Sequence, residues 1–378
     1  MPKLLFVVTE DWFFASHFLP MARAARECGF ETVVVARVRD HAQAIGETGA
    51  RVVPLEAERK SINPVQAATA AARLAEILRH ERPDIVHCIS LKPILLGGLA
   101  CRLAGVHRRV FALTGLGFLG AKQDVTGRLA RLLVRSVIRQ GLEGDETRYL
   151  FENRDDPRLL GLDPDARNVT VVSGAGVDPE VFEATPVTIR EGPLRMAMVA
   201  RMLWSKGVDT AVEAVRSARA RGVDVTLSLY GTPDPSNPKA VPLATLQQWS
   251  LEPGIAWLGP TNDVASVWRE HDLAILPSRG GEGLPRTLLE SAACGRAALT
   301  TDVPGCREFI RDGIEGRVLP VDDADGFAQA IEALAADRSK LARMGQNAAG
   351  RVRVGYTERD VMNTVSTLYQ DLLRNGAH

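Results

Sequence analysis

Cysteine is scarce in this chain, and neither sign of charge is in excess. The five cysteines form no CxxC pair, and no His/Cys cluster has the spacing of a metal site. An odd number of widely spaced cysteines predicts reduced thiols rather than a disulfide framework or a zinc site. The 46 basic residues are balanced by 46 acidic ones, which argues against bulk binding of nucleic acid.

Long hydrophobic runs are also missing. The chain contains no run of about 18 apolar residues, the length that a membrane-spanning helix needs. The short apolar run that ends at Glu10 predicts a strand rather than a signal peptide. We therefore expect a cytoplasmic protein.

The phosphate-binding fingerprint of dinucleotide-binding enzymes is absent too. The first predicted strand leads into Thr9–His17, which contains no GxGxxG and has two acidic residues where a pyrophosphate would lie. The first strand of the second half lacks the fingerprint as well, and the chain has no P-loop. These absences count against a nicotinamide-dependent dehydrogenase, the main rival on grounds of fold.

What the chain does have is an alternation of short apolar strands and helices, and this alternation occurs twice. The strands predicted in the first half are Leu4–Thr9, Thr32–Ala36, Arg51–Leu55, Ile85–Ile89, Val110–Thr114 and Val169–Ser173. The strands predicted in the second half are Leu194–Ala200, Val225–Tyr230, Ile255–Leu258, Leu273–Leu276, Ala297–Thr301 and Gly316–Leu319. Such strands, separated by helices, predict parallel sheets covered on both faces.

This order predicts an α/β fold of two doubly wound, Rossmann-like domains that face each other across a cleft. We expect an N-terminal domain over residues 1–183, a C-terminal domain over residues 184–357, and a last helix within 358–378 that packs across the domain boundary. Ligands of open α/β sheets bind outside the carboxyl ends of the strands. The cleft is therefore the expected site.

The most informative motif is the segment from Glu282 to Glu290, with the sequence EGLPRTLLE. Gly280, Gly281 and Gly283 permit a tight turn, and Pro285 suits the first turn of a helix. Eight helical residues span about 12 Å, so the two glutamates could contact both ends of an elongated, polyhydroxylated ligand. The helix start between them offers unpaired N–H groups to an anion. This layout predicts a nucleotide-sugar site.

Two cations precede this motif at the same edge of the predicted sheet. Arg201 and Lys206 follow the strand Leu194–Ala200 and come just before a helix. Arginine offers a planar fork to phosphate oxygens, and lysine offers a compact point charge. Alone, such a pair is as typical of a solvent-facing loop as of a site. Together with Glu282 and Glu290 it favours a site.

With these residues the chain resembles the retaining family-four glycosyltransferases, which have the GT-B fold of two facing Rossmann-like domains. The resemblance starts from Arg201, Lys206 with Gly207, and the E-x7-E pair. Other segments resemble the bacterial branch that builds surface polysaccharides on polyprenyl diphosphate carriers: Thr9–His17, Val86–His87, Leu91–Pro93, Leu113–Phe118, Gly174–Asp178, Asn237–Pro238 and Thr301–Glu308.

The resemblance implies a donor site in the second domain. Arg201 and Lys206 would hold the donor diphosphate and stabilise the charge that develops as it leaves. Glu282 would bind the donor sugar, and Glu290 the ribose hydroxyls. The implied donor site is completed by Gly231, Ser278, Gly283 and Leu284. Glycine at a strand end is common without any ligand, so a purely structural role stays open for the glycines.

The resemblance places the acceptor in the first domain, against a group of polar and small residues: His17, His87, Lys92, Thr114 and Gly115. Many relatives carry a second histidine two positions after the first, where this chain has Ile89. We expect His87 to take part of that role. The implied catalytic set is then Glu282, Lys206, Arg201 and His87.

The implied reaction retains the anomeric configuration, and an oxygen of the leaving diphosphate can take the proton of the acceptor. Such a transfer needs no strong enzymic base and no cofactor. We also expect no metal ion, because the Asp-x-Asp pairs of the chain do not follow strands that enter the site. Arg201 and Lys206 could neutralise the diphosphate instead.

A basic segment points to a membrane surface. Residues 59–139 contain fourteen basic and four acidic residues. Within 125–140, four arginines recur at three- and four-residue spacing among apolar residues, as in helices that lie on anionic membranes. The alternative is an outer helix with solvated arginines. Because a lipid-linked acceptor lies in a membrane, we expect peripheral contact with the inner face of the cell membrane.

The motifs and the resemblance together imply an enzyme that moves a hexose or N-acetylhexosamine from a nucleoside diphosphate sugar, with UDP as the expected nucleoside diphosphate. The expected acceptor is a saccharide on a polyprenyl diphosphate or a free oligosaccharide, in surface polysaccharide biosynthesis. Two alternatives stay open. A UDP-sugar epimerase of the same fold would change the donor without any acceptor, and a non-catalytic subunit would bind the sugar nucleotide without turnover.

Overall fold

The computed structural model describes residues 1–55, 64–117, 125–185, 192–234 and 237–374. These residues form two α/β units. The first unit contains residues 1–176 and the C-terminal helix, and the second contains Val177–Thr357.

The first unit is built on a seven-stranded parallel sheet with the order β3-β2-β1-β4-β5-β6-β7. The strands are β1 Lys3–Glu10, β2 Glu31–Arg37, β3 Arg51–Pro54, β4 Ile85–Ile89, β5 Arg109–Leu113, β6 Thr147–Phe151 and β7 Val169–Val171. The chain winds outward in one direction from β1 and in the other from β4. The loops that follow β1 and β4 therefore meet at the point where the winding reverses.

The helices of the first unit connect these strands and are numbered along the chain. They are α1 Asp11–His17, α2 Leu19–Glu27, α3 Ala42–Glu47, α4 Pro64–Glu81, α5 Leu91–Ala104, α6 Val125–Ser136 and α7 Asp155–Leu159. A π-helical turn, Val137–Leu142, continues α6.

The second unit is built on a six-stranded parallel sheet with the order β10-β9-β8-β11-β12-β13. The strands are β8 Leu194–Val199, β9 Val225–Tyr230, β10 Ile255–Gly259, β11 Leu273–Leu276, β12 Ala297–Thr301 and β13 Gly316–Leu319. Here the winding reverses between the neighbouring strands β8 and β11. This is the position at which open α/β sheets bind their ligands.

The helices of the second unit follow its strands, and one further helix ends the described chain. They are α8 Val208–Ala220, α9 Leu243–Trp249, α10 Val264–Glu270, α11 Arg286–Ala293, α12 Pro304–Phe309, α13 Ala324–Ala336, α14 Arg338–Arg353 and the C-terminal α15 Glu358–Arg374. A short 3-10 turn, Trp204–Lys206, precedes α8.

Helices cover both faces of each sheet, which explains why the strands are hydrophobic at nearly every position. Along β1, Leu4 and Phe6 belong to one buried cluster, and Leu5 and Val7 belong to a second cluster on the opposite face. Each fully buried side chain of this size contributes about 1.5–3 kcal/mol to stability. The two clusters thus sandwich the sheet of the first unit.

The predicted fold class is confirmed, because both units contain a parallel sheet with helices. The strands over Ile85–Ile89 and Val225–Tyr230 have the predicted bounds. Helix α1 ends at His17, and the separate helix α2 begins at Leu19. The carboxylate of Asp11, the first residue of α1, accepts a hydrogen bond of 2.7 Å from the backbone N–H of Trp12.

The C-terminal helix packs on the first unit. Its face of buried residues includes Val365 and Tyr369, which join the cluster that contains Phe6. Two ion pairs link it to α2, Arg23 with Glu358 at 3.0 Å and Arg359 with Glu27 at 2.8 Å. These pairs are exposed, so apolar packing is the larger contribution.

Candidate active site

Two loops of the second unit meet where its sheet winding reverses. One follows β8 and carries Arg201 and Lys206, and the other follows β11 and carries Ser278 and Glu282. Strands β8 and β11 are parallel neighbours, so the loops at their carboxyl ends lie side by side. Residues 76 positions apart in the sequence are thereby brought into contact.

Lys206 and Glu282 form an ion pair. The ammonium of Lys206 donates to Oε1 of Glu282, and the hydroxyl of Ser278 donates to the same oxygen at 3.2 Å. Both side chains of the pair are mostly enclosed, with exposures of 15% and 17%. A partly exposed pair of this kind remains open to an incoming anion.

The charge of Glu282 is held by its neighbours. Burial works against the charged form, but the charge and hydrogen bond of Lys206, the hydrogen bond of Ser278 and the charge of Arg201 outweigh it. The pKa of Glu282 therefore lies below its ordinary value. Arg201 itself is exposed. The structure thus brings together three of the predicted residues: Arg201, Lys206 and Glu282.

Glu290 lies in the second turn of α11 and is buried. Arg286, one turn earlier, donates from Nε to its Oε1 at 2.7 Å. Burial raises the pKa of Glu290, and the charge of Arg286 opposes this only in part. Sequence reasoning missed Arg286, although its position four residues before Glu290 was the available signal.

Glycines allow the loops of this edge to approach one another. A Cβ on Gly207 would lie 2.0 Å from the carbonyl oxygen of Pro277, and one on Gly305 would lie 2.0 Å from that of Gly283. Gly231 has φ +136°, and a Cβ there would lie 1.9 Å from the carbonyl oxygen of Ala200. These close contacts within the chain therefore explain the glycines without any bound ligand.

Three of the predicted donor residues have contacts within the second unit. The side chain of Ser278 is fully buried, and its hydroxyl serves Glu282. The hydroxyl of Ser278 is thus engaged within the chain, and membership of Ser278 in the donor site stays a prediction. The amide of Gly231 donates to Gly259, and its carbonyl accepts from the indole of Trp257, so contact of Gly231 with a nucleotide stays a prediction. Leu284 is 6% exposed and packs in the core of the second unit.

His87 contradicts its predicted role. It lies in the middle of β4 rather than at its end, and its side chain is fully buried. Nδ1 shares a hydrogen bond of 2.8 Å with the hydroxyl of Tyr369, and the ring packs on Phe6. Burial lowers the pKa of His87 to about 3. Because the whole side chain is enclosed, the structure does not support contact between His87 and the acceptor.

The other predicted acceptor residues lie near the carboxyl edge of the first sheet and are partly exposed. His17 ends α1, its Nδ1 lies 2.6 Å from the hydroxyl of Ser16, and its ring packs on Phe13. Lys92 lies in the first turn of α5. Thr114 and Gly115 follow β5, with the Thr114 hydroxyl 3.4 Å from that of Ser90. Binding of an acceptor by these residues stays a prediction.

Two family models match the chain, one to each unit. Residues 3–141 match the model described as glycosyl transferase 4-like, and residues 193–337 match glycosyl transferases group 1. Their order along the chain follows the two units of the structure.

The chain belongs to the family-four glycosyltransferases.

Curated relatives of this glycosyltransferase extend over most of its length. The N,N'-diacetylbacillosaminyl-diphospho-undecaprenol alpha-1,3-N-acetylgalactosaminyltransferase of Campylobacter jejuni is 25% identical, over 95% of this chain and 96% of the relative. The UDP-Gal:alpha-D-GlcNAc-diphosphoundecaprenol alpha-1,3-galactosyltransferase of Escherichia coli is 25% identical, over 80% of this chain and 79% of the relative.

Solved structures share the fold of this glycosyltransferase. Sucrose-phosphate synthase from Thermosynechococcus elongatus superimposes with a TM-score of 0.78 and 16% identity, over the full length of both chains. Anabaena HepE in complex with UDP and glucose superimposes with a TM-score of 0.75 and 15% identity, over 98% of this chain and 100% of HepE. At these identities the likeness establishes the GT-B fold alone.

Proposed function

We propose that this glycosyltransferase transfers a hexose or N-acetylhexosamine from a UDP-sugar to a saccharide acceptor on a polyprenyl diphosphate or a free oligosaccharide. The transfer retains the anomeric configuration, needs no metal ion, and serves surface polysaccharide biosynthesis. The observation that carries the proposal is the Lys206–Glu282 ion pair, next to Arg201, where the winding of the second sheet reverses.

The chemistry of the pair suits an activated sugar. Lys206 and Arg201 supply two positive charges for a diphosphate, and Lys206 acts more strongly in its partly enclosed position than it would in water. Glu282 stays charged because its pKa is lowered, so it accepts hydrogen bonds from sugar hydroxyls. Glu290, held by Arg286, is suited to accept from the ribose. The start of α11 lies between the two glutamates.

The proton of the acceptor needs a base other than His87. In the proposed transfer the acceptor hydroxyl forms the new glycosidic bond as the bond between the anomeric carbon and the diphosphate breaks. Both events take place on the same face of the sugar. The departing diphosphate oxygen takes the proton, and Arg201 and Lys206 stabilise the charge left on the phosphate. This route agrees with the enclosed position of His87.

The names of related proteins support the choice of donor and acceptor. Both curated relatives act on sugars linked to diphospho-undecaprenol, and one uses UDP-galactose. HepE, one of the fold relatives, was solved in complex with UDP and glucose.

The test is a product assay. The purified chain is incubated with a panel of UDP-sugars and lipid-linked mono- and disaccharide acceptors, with and without EDTA. Products are followed by mass spectrometry, and the new linkage by NMR. We expect an acceptor one sugar heavier, with the donor's anomeric configuration, in EDTA as well. Conversion of UDP-sugar without acceptor would indicate an epimerase, and binding without turnover would indicate a binding subunit.

We also propose that α6 docks this enzyme on an anionic membrane. Within the described residues no helix is both long and apolar enough to span a bilayer. Helix α6 and the π-helical turn instead expose a group of large apolar side chains, each at least 43% accessible: Val125, Leu129, Leu132, Leu133 and Val137. Ile138 packs inward.

The basic residues of α6 lie beside this exposed apolar stripe. At about 100° per residue, Arg128, Arg131, Arg135 and Arg139 follow one flank of it. Apolar side chains in the interface and cations at its rim are what a helix on an anionic bilayer needs. Exposure of the leucines argues against the alternative of an ordinary outer helix, because soluble proteins rarely expose such a continuous patch.

Vesicle sedimentation tests the docking. The wild-type chain is expected to sediment with vesicles that contain phosphatidylglycerol and much less with pure phosphatidylcholine. The double variant Leu132→Gln/Leu133→Gln should lose this binding. The matched control is Leu251→Gln/Leu258→Gln, which removes two exposed leucines from the second unit and should bind as the wild type does. If the α6 double variant and the control double variant bound the vesicles equally well, the assignment of α6 as the membrane-docking helix would be contradicted.

A further inference from the structure

Arg279 links the two loops that carry the ion pair. It follows Ser278 directly and precedes Glu282 by three positions. Its backbone N–H donates to the carbonyl of Ser205 at 2.8 Å, and its guanidinium donates to the carbonyl of Trp204. One residue of the second loop thus holds the turn that positions Lys206 through both its backbone and its side chain.

The guanidinium of Arg279 is also fixed by two carboxylates from other parts of the unit. Nη1 and Nη2 donate to the two oxygens of Asp209 at 2.8 and 2.9 Å, in the first turn of α8. Nε donates to Asp322 at 2.6 Å, in the loop after β13. A bidentate pair fixes the orientation of the guanidinium as well as its position.

A second contact between the same two loops lies on the other side of Lys206. Gly207 has φ +70°, and its missing Cβ lets it lie against the carbonyl oxygen of Pro277. The loops are therefore joined at Gly207 with Pro277 and at Ser205 with Arg279. Lys206 lies between the two joined positions on one loop, and Ser278, which holds Glu282, lies between them on the other.

Arg279 is not an anion ligand itself. Asp209 and Asp322 together more than balance its charge, and all three of its guanidinium nitrogens have partners in the chain. Its contribution to a substrate is therefore indirect. It acts through the position of the loops that carry Lys206 and Ser278.

We infer that Arg279 is a positioning residue that sets Lys206 against Glu282 for the donor diphosphate. This inference rests on the proposed function of the ion pair. Sequence spacing could not reveal it, because the carboxylate partners lie 70 and 43 positions away. Arg279 and its hydrogen-bond partners Trp204, Ser205, Asp209 and Asp322 together form a bracket that joins the two loops.

The test compares Arg279→Lys with Arg216→Lys. Arg216 is a matched control, because it also bonds two carboxylates, Glu213 and Glu252, but on the exposed side of α8. Lysine keeps the charge and loses the fork in both variants. Misplacement of a catalytic group by about 1 Å can cost on the order of 100-fold in rate. We expect kcat to fall by ~10- to 100-fold in Arg279→Lys, and to remain at the wild-type level in Arg216→Lys.

A second measurement does not depend on turnover. The rate at which acetic anhydride modifies Lys206, relative to the exposed Lys340, reports directly on the ion pair. We expect this ratio to rise several-fold in Arg279→Lys and to stay constant in Arg216→Lys. Asp322→Asn, which removes one partner at the surface, should raise it by less.

The outcomes separate the inference from the proposed function. Suppose that the wild-type chain turns over UDP-sugars, and that Arg279→Lys has the same kcat and the same Lys206 reactivity as the wild type. This result would overturn the positioning role alone. An equal loss of activity in Arg216→Lys would also overturn it, since it would show a general effect on stability. A wild-type chain that neither binds nor turns over UDP-sugars would overturn the proposed function, while the reactivity of Lys206 would still test the bracket.

Discussion

Lys206 donates to the carboxylate of Glu282 although 76 positions separate the two residues in the sequence. The pair forms because two neighbouring parallel strands end at the same edge, and because Gly207 lets one loop touch the other. It gives the enzyme a cation and an anion at one point. The same two charges stabilise each other before a donor binds.

Replacement of either member should abolish transfer. Lys206→Met removes a charge from the diphosphate, and Glu282→Gln removes a charged acceptor from the sugar. We expect kcat/KM to fall at least ~100-fold in each variant. The double variant should lose little more than the worse single one, because the two residues act as a unit. Independent, multiplicative losses in the steady-state assay would count against a shared site.

The stability of the Lys206→Met variant should depend on pH in a defined way. In the wild type the pKa of Glu282 is lowered, so the pair stabilises the fold above about pH 4.5 and this contribution is lost as pH falls through the lowered pKa. Without Lys206, burial dominates and raises the pKa. The gap in unfolding free energy between wild type and variant should then widen from about pH 4 to pH 7. Urea titrations at several pH values measure it, and a constant gap would contradict the coupling.

Asp156 should destabilise the protein at neutral pH and above. It is 2% exposed, and burial raises its pKa from 3.8 to about 7, with Asn153 as its hydrogen-bond donor. Between these values the folded state holds a proton that the unfolded state releases, so stability falls as pH rises from about 4 to 7.

Asp156→Asn should therefore raise the unfolding free energy at pH 8 by about 1–3 kcal/mol and leave it nearly unchanged at pH 4. Thermal or urea unfolding at the two pH values measures the difference. Asp371→Asn, an exposed site on α15, is the control and should change neither. A loss of stability at pH 8 would show that the charged form of Asp156 is needed.

Much of the fold could be predicted from sequence, since uninterrupted apolar runs such as Leu273–Leu276 are typical of buried parallel strands. The strand Thr147–Phe151 was missed because it opens with the polar residues Thr147 and Arg148, and only three apolar or aromatic residues follow. The helix Arg338–Arg353 was missed too, although Leu341, Met344, Ala348 and Val352 repeat at helical spacing and are buried. There the polar character of the remaining residues hid the pattern.

The site could be predicted only as far as its motifs. Arg201, Lys206 and Glu282 come together as expected, because each follows a strand of one parallel sheet. The hydrogen bond of the His87 ring could not be foreseen, since its partner Tyr369 lies 282 positions away on the C-terminal helix. Partners that are distant in sequence leave no spacing to recognise.

His87 and Tyr369 should therefore contribute to stability and not to catalysis. Tyr369→Phe leaves Nδ1 of a fully buried imidazole without its partner, which should cost about 1–3 kcal/mol. The double variant His87→Phe/Tyr369→Phe replaces both polar groups by apolar ones and should recover part of the loss. Differential scanning calorimetry measures the stabilities. The kcat of folded enzyme should stay at the wild-type level in both variants, and a large fall in kcat at unchanged Tm would restore a catalytic role for His87.

Gly207 should tolerate no side chain. Alanine at a positive φ costs about 1–2 kcal/mol from the backbone alone, and at Gly207 the new Cβ would also lie 2.0 Å from the carbonyl oxygen of Pro277. Gly222 is the matched control, with φ +85° and no neighbouring atom within 4 Å of the added Cβ. Both Gly207→Ala and Gly222→Ala incur the backbone cost, but only Gly207→Ala must separate the loops that carry Lys206 and Ser278.

We expect a small loss of stability in Gly222→Ala with full activity. Gly207→Ala should lose more stability and at least ~10-fold in kcat. Equal effects of the two variants on calorimetric stability and on the transfer rate would show that the close approach of Gly207 to Pro277 does not position the ion pair.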